Sequence, residues 1–249
     1  MYYRLMKRLD EYSQVFLRSP RLVAELIGHS NIRKNDLVLD IGAGVGTITS
    51  VLAGRCAKVI AIEPEPRAAT KLHQNTRGLP NVKVIQKDFL KHDLPPGPYK
   101  VFSNIPFHLS SQIVQKLVWA ENPPKSIYLI LQKQFANKLL ANDKHFTSQL
   151  GASIAPWWSV RVHKPLHKTD FYPHPAVDTV LLEIKQRPEP LLHHTQTKGY
   201  CALVKEAFES PAKFKALPLA KAKINPELTP SQLTGEQWAL LFKLCGSRK

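Results

Sequence analysis

Short apolar runs alternate with helical stretches along the first part of the chain, and this alternation limits the possible folds more than composition does. The run at residues 36–44, DLVLDIGAG, is typical of a buried strand that ends in a glycine-rich turn. Similar runs recur, which gives predicted strands at residues 36–44, 57–63, 81–88, 99–104 and 126–132 and predicted helices at residues 47–54, 66–76, 110–119 and 133–141. Strands that alternate with helices at this spacing form a parallel sheet with helices on both faces. The sequence therefore predicts a doubly wound α/β domain.

The alternation stops near Gly151. Residues 159–188 contain two extended runs around a proline-rich turn, which indicates antiparallel strands at the far edge of the sheet. From Leu191 onward, segments such as YCALVKEAF carry apolar residues at three- and four-residue spacing, which is typical of helices. We therefore predict a first domain at residues 1–188 and a small helical domain at residues 189–249, with the boundary placed where proline is locally dense.

The charge of the chain indicates a polyanionic partner. The 249 residues include 35 Lys and Arg against 19 Asp and Glu, which gives a formal net charge of +16 and a pI of about 9.8. Such an excess is typical of proteins that bind nucleic acid, because cationic side chains release counterions from phosphates. One stretch near the C-terminus has cations and no acid, and it supplies the candidate nucleic-acid contacts Lys213, Lys215, Lys221 and Lys223.

Several classes of protein do not fit the sequence. The three cysteines, Cys56, Cys201 and Cys245, are odd in number and far apart, so we expect neither a disulfide framework nor a metal site. The apolar runs are too short to cross a bilayer, and the N-terminal residues lack the apolar stretch of a signal peptide. We therefore expect a cytoplasmic protein without a membrane or metal partner.

Glycines at alternate positions follow the first predicted strand. Gly42, Gly44 and Gly46 let the backbone turn tightly and approach a ligand, although a plain strand-to-helix connection would use the same residues. A dinucleotide site would need the spacing G-x-G-x-x-G, but Thr47 stands where the third glycine belongs. Asp40 precedes the glycines and suits a cationic ligand better than a phosphate. S-adenosylmethionine, which carries an amino group and a sulfonium, therefore fits this turn better than a dinucleotide.

Acidic residues end the first three predicted strands in turn. After Asp40, Glu63 is suited to accept hydrogen bonds from both hydroxyls of a ribose, although a dinucleotide enzyme would use the same contact. Asp88 is suited to accept one from an adenine amino group, with Phe89 beside the base. Each acid alone is compatible with a helix cap or a surface charge. Three acids at successive strand ends favour a nucleoside cofactor.

The fourth predicted strand ends in SNIPF, residues 103–107, which places an amide, a proline and an aromatic ring in close succession. Asn-x-Pro alone is common in turns after strands. The added ring of Phe107 favours a site that holds a flat group.

Six segments between residues 10 and 190 carry a resemblance to a known family: SQVFLRSP, DIGAGVG, AIEPE, QKDFL, SNIPF and TDFYPHPAVDTVLLEI. With these segments in this order, the chain resembles the ribosomal RNA adenine N6-methyltransferases, especially the erythromycin-resistance (Erm) type that acts on large-subunit rRNA. The resemblance implies a Rossmann-like class I methyltransferase sheet that binds S-adenosylmethionine. The C-terminal tail is similar to the family's small helical domain only in length and character.

The resemblance also implies roles for particular residues. The implied cofactor-binding set is Gln14, Phe16, Asp40, Gly42, Gly44, Gly46, Glu63, Pro64, Asp88, Phe89 and Asn104. The implied set at the target adenine is Asn104, Ile105, Pro106, Phe107 and Phe171. In this interpretation Phe107 stacks on a flipped-out adenine and Phe171 supplies a second ring, for which core packing is the alternative. The lysines at 213–223 are candidate RNA contacts on the ground of local charge, not of the resemblance.

The chain also departs from the family pattern. Val15 stands where many members have asparagine, and Phe107 stands where tyrosine is common. Ile105 stands where relatives that dimethylate small-subunit rRNA often have leucine, which favours the large-subunit branch weakly. The expected substrate is the macrolide-binding loop of 23S rRNA before full ribosome assembly, methylated by a monomer, with macrolide resistance as the result. The alternatives are a small-subunit (16S) rRNA adenine dimethyltransferase, a non-catalytic nucleic-acid-binding factor on the same fold and, least favoured, a dinucleotide oxidoreductase.

Overall fold

The computed structural model describes residues 16–246 of the protein. The strands are β1 (Phe16–Leu17), β2 (Leu37–Ile41), β3 (Lys58–Ile62), β4 (Val82–Ile85), β5 (Lys100–Asn104), β6 (Ser126–Gln132), β7 (Trp158–Leu166), β8 (Phe171–Tyr172) and β9 (Thr179–Gln186). The helices are α1 (Pro20–Gly28), α2 (Thr47–Ala53), α3 (Pro66–Thr76), α4 (Ser110–Val118), α5 (Lys133–Leu139), α6 (Gln149–Ile154), α7 (Thr197–Glu209), α8 (Pro211–Lys215) and α9 (Gly235–Gly246). None of the helices within residues 16–246 is long and apolar enough to span a membrane.

The main sheet confirms the predicted α/β fold. Within the described residues it has seven strands in the order β4-β3-β2-β5-β6-β9-β7. The five strands from β4 to β6 in this order are parallel to their neighbours. The chain runs outward from β2 to β4 and then returns to the other side of β2 with β5, so the topology reverses between β2 and β5. Ligands of open α/β sheets bind beyond the carboxyl ends of the strands at such a point.

The apolar runs that predict these strands form the centre of the core. In β6 every residue from Ser126 to Leu131 is buried, and in β2 the same holds from Val38 to Ile41. A strand of a parallel sheet is covered on both faces, so its sequence is continuously apolar rather than alternating. This is why these strands are visible in the sequence.

The two extended runs after Gly151 form β7 and β9, which lie beyond β6 at one edge of the sheet, as the sequence predicts. A second, two-stranded sheet pairs β1 with β8 in antiparallel fashion, with Phe16 opposite Tyr172 and Leu17 opposite Phe171. Leu17 and Phe171 belong to the buried hydrophobic core. The short β1–β8 pair therefore has one face in the core.

The chain divides into two compact units. Among the described residues, the first contains those up to Lys133 together with Val162–Glu183, and the second contains Gln134–Arg161 together with those from Ile184 to residue 246. In the second unit the buried hydroxyl of Tyr200 donates to the carbonyl of Ala152 at 2.8 Å, which fastens α7 to α6. The helices predicted after Leu191 are present. That residue 188 separates a catalytic domain from a domain that contacts RNA stays a prediction.

Candidate active site

The carboxyl ends of β2 and β5 are joined directly. The hydroxyl oxygen of the fully buried Ser103 accepts a hydrogen bond from the backbone N–H of Ile41 at 2.7 Å. On the other side, the N–H groups of Gly42 and Ala43 both donate to the carbonyl of Ile62, at 2.8 and 3.1 Å. The glycine turn and the segment that follows Ser103 therefore share one well-fixed edge of the sheet.

The glycines of this turn adopt a conformation that other residues rarely adopt. The backbone angle φ is +67° at Gly42, +56° at Gly44 and +96° at Gly46. A Cβ on Gly44 would lie 2.8 Å from the ring of Phe16. A Cβ on Gly42 would lie 3.3 Å from the ring of Pro106. The turn therefore lies between Phe16, which the sequence assigns to cofactor binding, and Pro106, which it assigns to the set at the target adenine.

Replacement of Gly44 by alanine is expected to destabilise the protein by about 1–2 kcal/mol, because a residue with a Cβ is strained in the left-handed region. The new Cβ must also displace the ring of Phe16, so the affinity for S-adenosylmethionine should fall as well. Urea denaturation measures the first effect and calorimetry the second. Gly78→Ala is the matched control, since a Cβ there would meet no atom of the described residues within 4 Å. Equal stability of the two variants would contradict the assigned strain.

Asp40 is fully buried near the end of β2 and has one unpaired oxygen. Its Oδ2 accepts a hydrogen bond from the hydroxyl of Thr49 at 2.6 Å, whereas Oδ1 has no donor within reach among residues 16–246. Burial raises the pKa of the carboxyl to about 7, with a smaller contribution from Glu63 and in spite of the opposing hydrogen bond from Thr49. An unpaired buried oxygen is costly, so Oδ1 is suited to a cationic donor from a ligand.

Glu63 stabilises the glycine turn through hydrogen bonds to the backbone. Its Oε2 accepts from the N–H of Gly44 at 2.7 Å and its Oε1 accepts from the N–H of Glu65 at 3.0 Å. The side chain is fully buried, and burial raises the pKa of its carboxyl. Each carboxylate oxygen can accept a second hydrogen bond, so contact with a ribose is compatible with these bonds. In this structure, however, the carboxylate orders the backbone of the turn, a task that its sequence position does not reveal.

The remaining predicted cofactor residues lie on other strand ends. Asp88 follows β4 and accepts from the N–H of Leu90 at 2.9 Å, so it caps a short 3-10 helix. Phe89 is buried, with the ammonium of Lys116 at 5.3 Å from its ring centroid. Pro64 is exposed after β3. Gln14 lies outside the described residues.

The segment from Asn104 to Phe107 begins where β5 ends. The side-chain oxygen of Asn104 is buried, and Ile105 is 2% exposed. Pro106 leads into a 3-10 helix (Phe107–Leu109) that turns the chain into α4. The carbonyl of Phe107 accepts from the hydroxyl of Ser110 at 2.8 Å, and the residue is partly exposed. An amide and an aromatic ring thus lie beside the glycine turn, which Pro106 contacts.

Phe171 is placed differently from the expectation that it stacks on the target base. It is 0% exposed and packs in the hydrophobic core with Leu17, and a ring that is enclosed in this way has no face open to a base. The placement favours core packing, the alternative for this residue. The exposed ring at this place is Tyr172, which is 52% exposed. Neighbouring side chains of a strand point to opposite faces. Because Phe171 of β8 points into the core, Tyr172 points outward.

The candidate nucleic-acid-contacting lysines are all exposed. Lys213 forms an ion pair with Glu206, with Nζ 3.1 Å from Oε2. The four residues are Lys213, Lys215, Lys221 and Lys223, all in the second compact unit. Their contact with RNA stays a prediction.

The residues at this edge fit S-adenosylmethionine. Asp40 offers a buried, unpaired oxygen to a cation, and the glycines leave room that a Cβ would fill. Within residues 16–246, no three or more His, Cys, Asp and Glu side chains are placed to hold a metal ion. The fold and the site together define an α/β enzyme with a nucleoside cofactor.

A family model described as ribosomal RNA adenine dimethylase matches residues 6–216 of the chain. The chain belongs to this family. Its members are S-adenosylmethionine-dependent rRNA adenine N6-methyltransferases, and the chain is an enzyme of this class.

Similar proteins include members that act on either ribosomal subunit. The chain is 27% identical to an rRNA adenine N-6-methyltransferase of Bacillus licheniformis, over 92% of this chain and 84% of the relative. It is 29% identical to ribosomal RNA small subunit methyltransferase A of Streptococcus uberis, over 79% of this chain and 71% of the relative. Among solved structures, the 23S rRNA methyltransferase ErmE superposes with a TM-score of 0.81 at 27% identity, covering 92% of this chain and 98% of ErmE.

Proposed function

We propose that the protein transfers a methyl group from S-adenosylmethionine to N6 of a flipped-out adenine in the macrolide-binding loop of 23S rRNA and thereby confers macrolide resistance. The observation that carries this proposal is the likeness to ErmE, which extends over nearly the whole of both chains. Ile105, in place of the leucine that is frequent in the small-subunit branch, supports the same choice. We further propose that the enzyme acts as a cytoplasmic monomer on rRNA that is not yet fully assembled.

The cofactor would be held by the turn after β2. Oδ1 of Asp40, buried and unpaired among the described residues, would accept a hydrogen bond from the ligand's amino group. The backbone of Gly42, Gly44 and Gly46 allows close approach, and Glu63 keeps the turn in shape through the N–H of Gly44. When bound, S-adenosylmethionine supplies an electrophilic methyl group and a good leaving group.

The adenine amine is a poor nucleophile because its lone pair is delocalised into the ring. The side-chain oxygen of Asn104 and the carbonyl of Ile105 would accept the two amino hydrogens and make the nitrogen more tetrahedral. Pro106 fixes the backbone there and has no N–H that needs a partner. With N6 held in this way, its lone pair would be directed toward the methyl group that S-adenosylmethionine would supply, and the methylated nitrogen would release a proton to solvent. Catalysis is mainly positioning.

A stacked or paired adenine cannot reach this edge of the sheet, so the base must be flipped out, which costs a few kcal/mol. Phe107 is placed to offset part of this cost. It is partly exposed and lies at the start of a short helix, three residues after Asn104 in the sequence. Stacking on an aromatic ring contributes roughly 1–3 kcal/mol per base.

Phe107→Tyr is expected to keep methyl transfer near the wild-type rate, because a ring and not a hydroxyl is needed for stacking. Phe107→Ala should lower kcat/KM for rRNA by about 5- to 150-fold, which corresponds to the loss of one stacked base. A tritium-methyl assay on rRNA transcripts measures both. Equal activity of the wild type and the two variants would remove Phe107 from its role as a base platform.

Two arms test the choice of substrate. Expression in a macrolide-sensitive bacterium should give resistance to erythromycin, and methylation of a purified 23S transcript, with mass spectrometry of the modified nucleoside, should give methylated adenine. Resistance should disappear with Asn104→Ala expressed at the same level. Methylation of a 16S transcript alone, without resistance, would replace the proposal with the small-subunit alternative, which the likeness to the Streptococcus uberis protein supports.

A further inference from the structure

The pairing of β1 with β8 places Tyr172 beside the glycine turn. Phe16 lies directly opposite Tyr172 in this antiparallel pair, so their side chains point to the same face with Cβ atoms about 5 Å apart. The ring of Phe16 covers Gly44, where a Cβ would lie 2.8 Å from it. Tyr172 is therefore a near neighbour of the proposed cofactor turn.

Tyr172 differs from its neighbours in exposure. Leu17 and Phe171 point into the core at 5% and 0% exposure, whereas Tyr172 is 52% exposed. A large, half-exposed ring beside a proposed nucleotide site suits stacking on an unpaired base, because every base offers a flat face. Tyr172 lies inside one of the six segments that carry the family resemblance, but neither the residue roles implied by that resemblance nor the catalytic scheme above gives its ring a role.

Two exposed cationic residues flank the β1–β8 pair, with Arg18 directly after β1 and Lys168 three residues before β8. Arg18 is exposed, and its backbone N–H donates to the carbonyl of Asp170 at 2.9 Å. Lys168 is exposed, and its ammonium donates to the carbonyl of Ala176 at 3.0 Å. The carbonyl of Lys168 also lies 2.8 Å from Nδ1 of His174. These bonds fix the backbone on both sides of Tyr172 and leave two cationic residues on the surface.

We propose that Arg18, Lys168 and Tyr172 form a contact surface for single-stranded rRNA next to the reaction site. Tyr172 stacks on an unpaired base near the target adenine, and Arg18 and Lys168 contact phosphates. This surface, called here the Tyr172 surface, rests on the proposed function, since it recognises the substrate of the same site. It gives RNA affinity to the first compact unit independently of the lysines at 213–223.

Tyr172→Ala tests the stacking contact. The dissociation constants are measured for 23S and 16S rRNA transcripts. For the transcript that the wild type prefers, the dissociation constant should rise by about 5- to 150-fold in Tyr172→Ala. Tyr172→Phe keeps the ring and should bind like the wild type. Phe146→Ala is the matched control, because it also removes an exposed ring, at 68% exposure, in the second compact unit. Thermal melting should show that all three variants fold, and calorimetry with S-adenosylmethionine separates a loss of RNA affinity from a loss of cofactor affinity through Phe16.

Arg18→Gln and Lys168→Gln test the phosphate contacts. Each should reduce the slope of log K against log salt concentration by about 0.7, the value for one phosphate of a single strand. Lys58→Gln is the control, since Lys58 is exposed at the start of β3, at the opposite end of the strands from the site. The control should leave the slope unchanged.

The outcomes separate the surface from the proposed function. Wild-type RNA affinity in Tyr172→Ala, or an equal loss in Phe146→Ala, would overturn the Tyr172 surface even if methyl transfer is intact. Unchanged salt slopes in Arg18→Gln and Lys168→Gln would remove the phosphate contacts. Failure of the wild type to methylate either transcript would instead overturn the proposed function. The RNA affinities of the Tyr172 variants would still show whether the Tyr172 surface binds RNA.

Discussion

Replacement of Asn104 by alanine is expected to lower kcat for methyl transfer by about 100-fold or more, while the affinity for S-adenosylmethionine stays nearly unchanged. The proposed acceptor of an amino hydrogen is lost, so N6 of the adenine is no longer held with its lone pair toward the methyl group. The glycine turn and Asp40, which would hold the cofactor, are anchored by other bonds. Calorimetry with the cofactor and a tritium-methyl assay on rRNA measure the two effects.

Asn122→Ala provides the control for this result. The amide of Asn122 donates to the carbonyls of Pro95 and Gly97 at 2.7 and 2.8 Å, so its loss should affect stability and leave kcat intact. Wild-type activity in Asn104→Ala would contradict the assignment of residues 104–107 to the target adenine. A parallel loss of cofactor affinity would place Asn104 mainly on the cofactor side.

The affinity for S-adenosylmethionine is expected to rise with pH and to level off above about 7. Burial raises the pKa of Asp40 to about 7 in the free protein, so at lower pH the carboxyl must lose its proton before it can pair with the cationic ligand. The affinity should therefore rise by up to about tenfold per pH unit below this pKa. Because burial raises the pKa of Asp40 from 3.8 to about 7, the free protein becomes less stable as pH rises between these two values, and this loss levels off above about 7.

Asp40→Asn should remove this pH dependence and weaken cofactor binding at pH 8 by about 30-fold or more, since a buried charged partner is lost. Thr49→Val removes the hydroxyl that donates to Oδ2 of Asp40. This hydrogen bond lowers the pKa of Asp40 in the wild type, so the variant should shift the pH midpoint of cofactor binding upward. Thr49→Ser keeps the hydroxyl and should restore the wild-type midpoint. Calorimetry across pH measures all three, and an unaltered profile in Asp40→Asn would exclude Asp40 as the titrating group.

The sequence predicts the strand ends well because parallel strands are continuously apolar and their ends carry glycine or acid. The turn at Gly42 and the acids Asp40, Glu63 and Asp88 all lie where the pattern places them. What the pattern does not predict is which partner each acid uses. Glu63 bonds to the N–H of Gly44, nineteen residues away, and Thr49 bonds to Asp40 across the turn, and such contacts depend on tertiary geometry.

The two aromatic neighbours Phe171 and Tyr172 show a second limit. A motif identifies the pair but not which ring faces outward, because neighbouring residues of a strand point to opposite faces and the register with β1 decides between them. Likewise, residues 134–161 pack with the C-terminal residues in one compact unit. That grouping depends on long-range contacts such as the one between Tyr200 and Ala152.

The hydrogen bond between Ser103 and Ile41 has a consequence for engineering. It joins the glycine turn, where we propose that the methyl donor binds, to the strand end that precedes residues 104–107, where we propose that the adenine binds. A library that varies residues 105 and 107 to accept another exocyclic amine should therefore keep Ser103 constant, because the spacing between methyl donor and acceptor would survive the change of base. Selectivity and transfer geometry are then separable properties of one short segment.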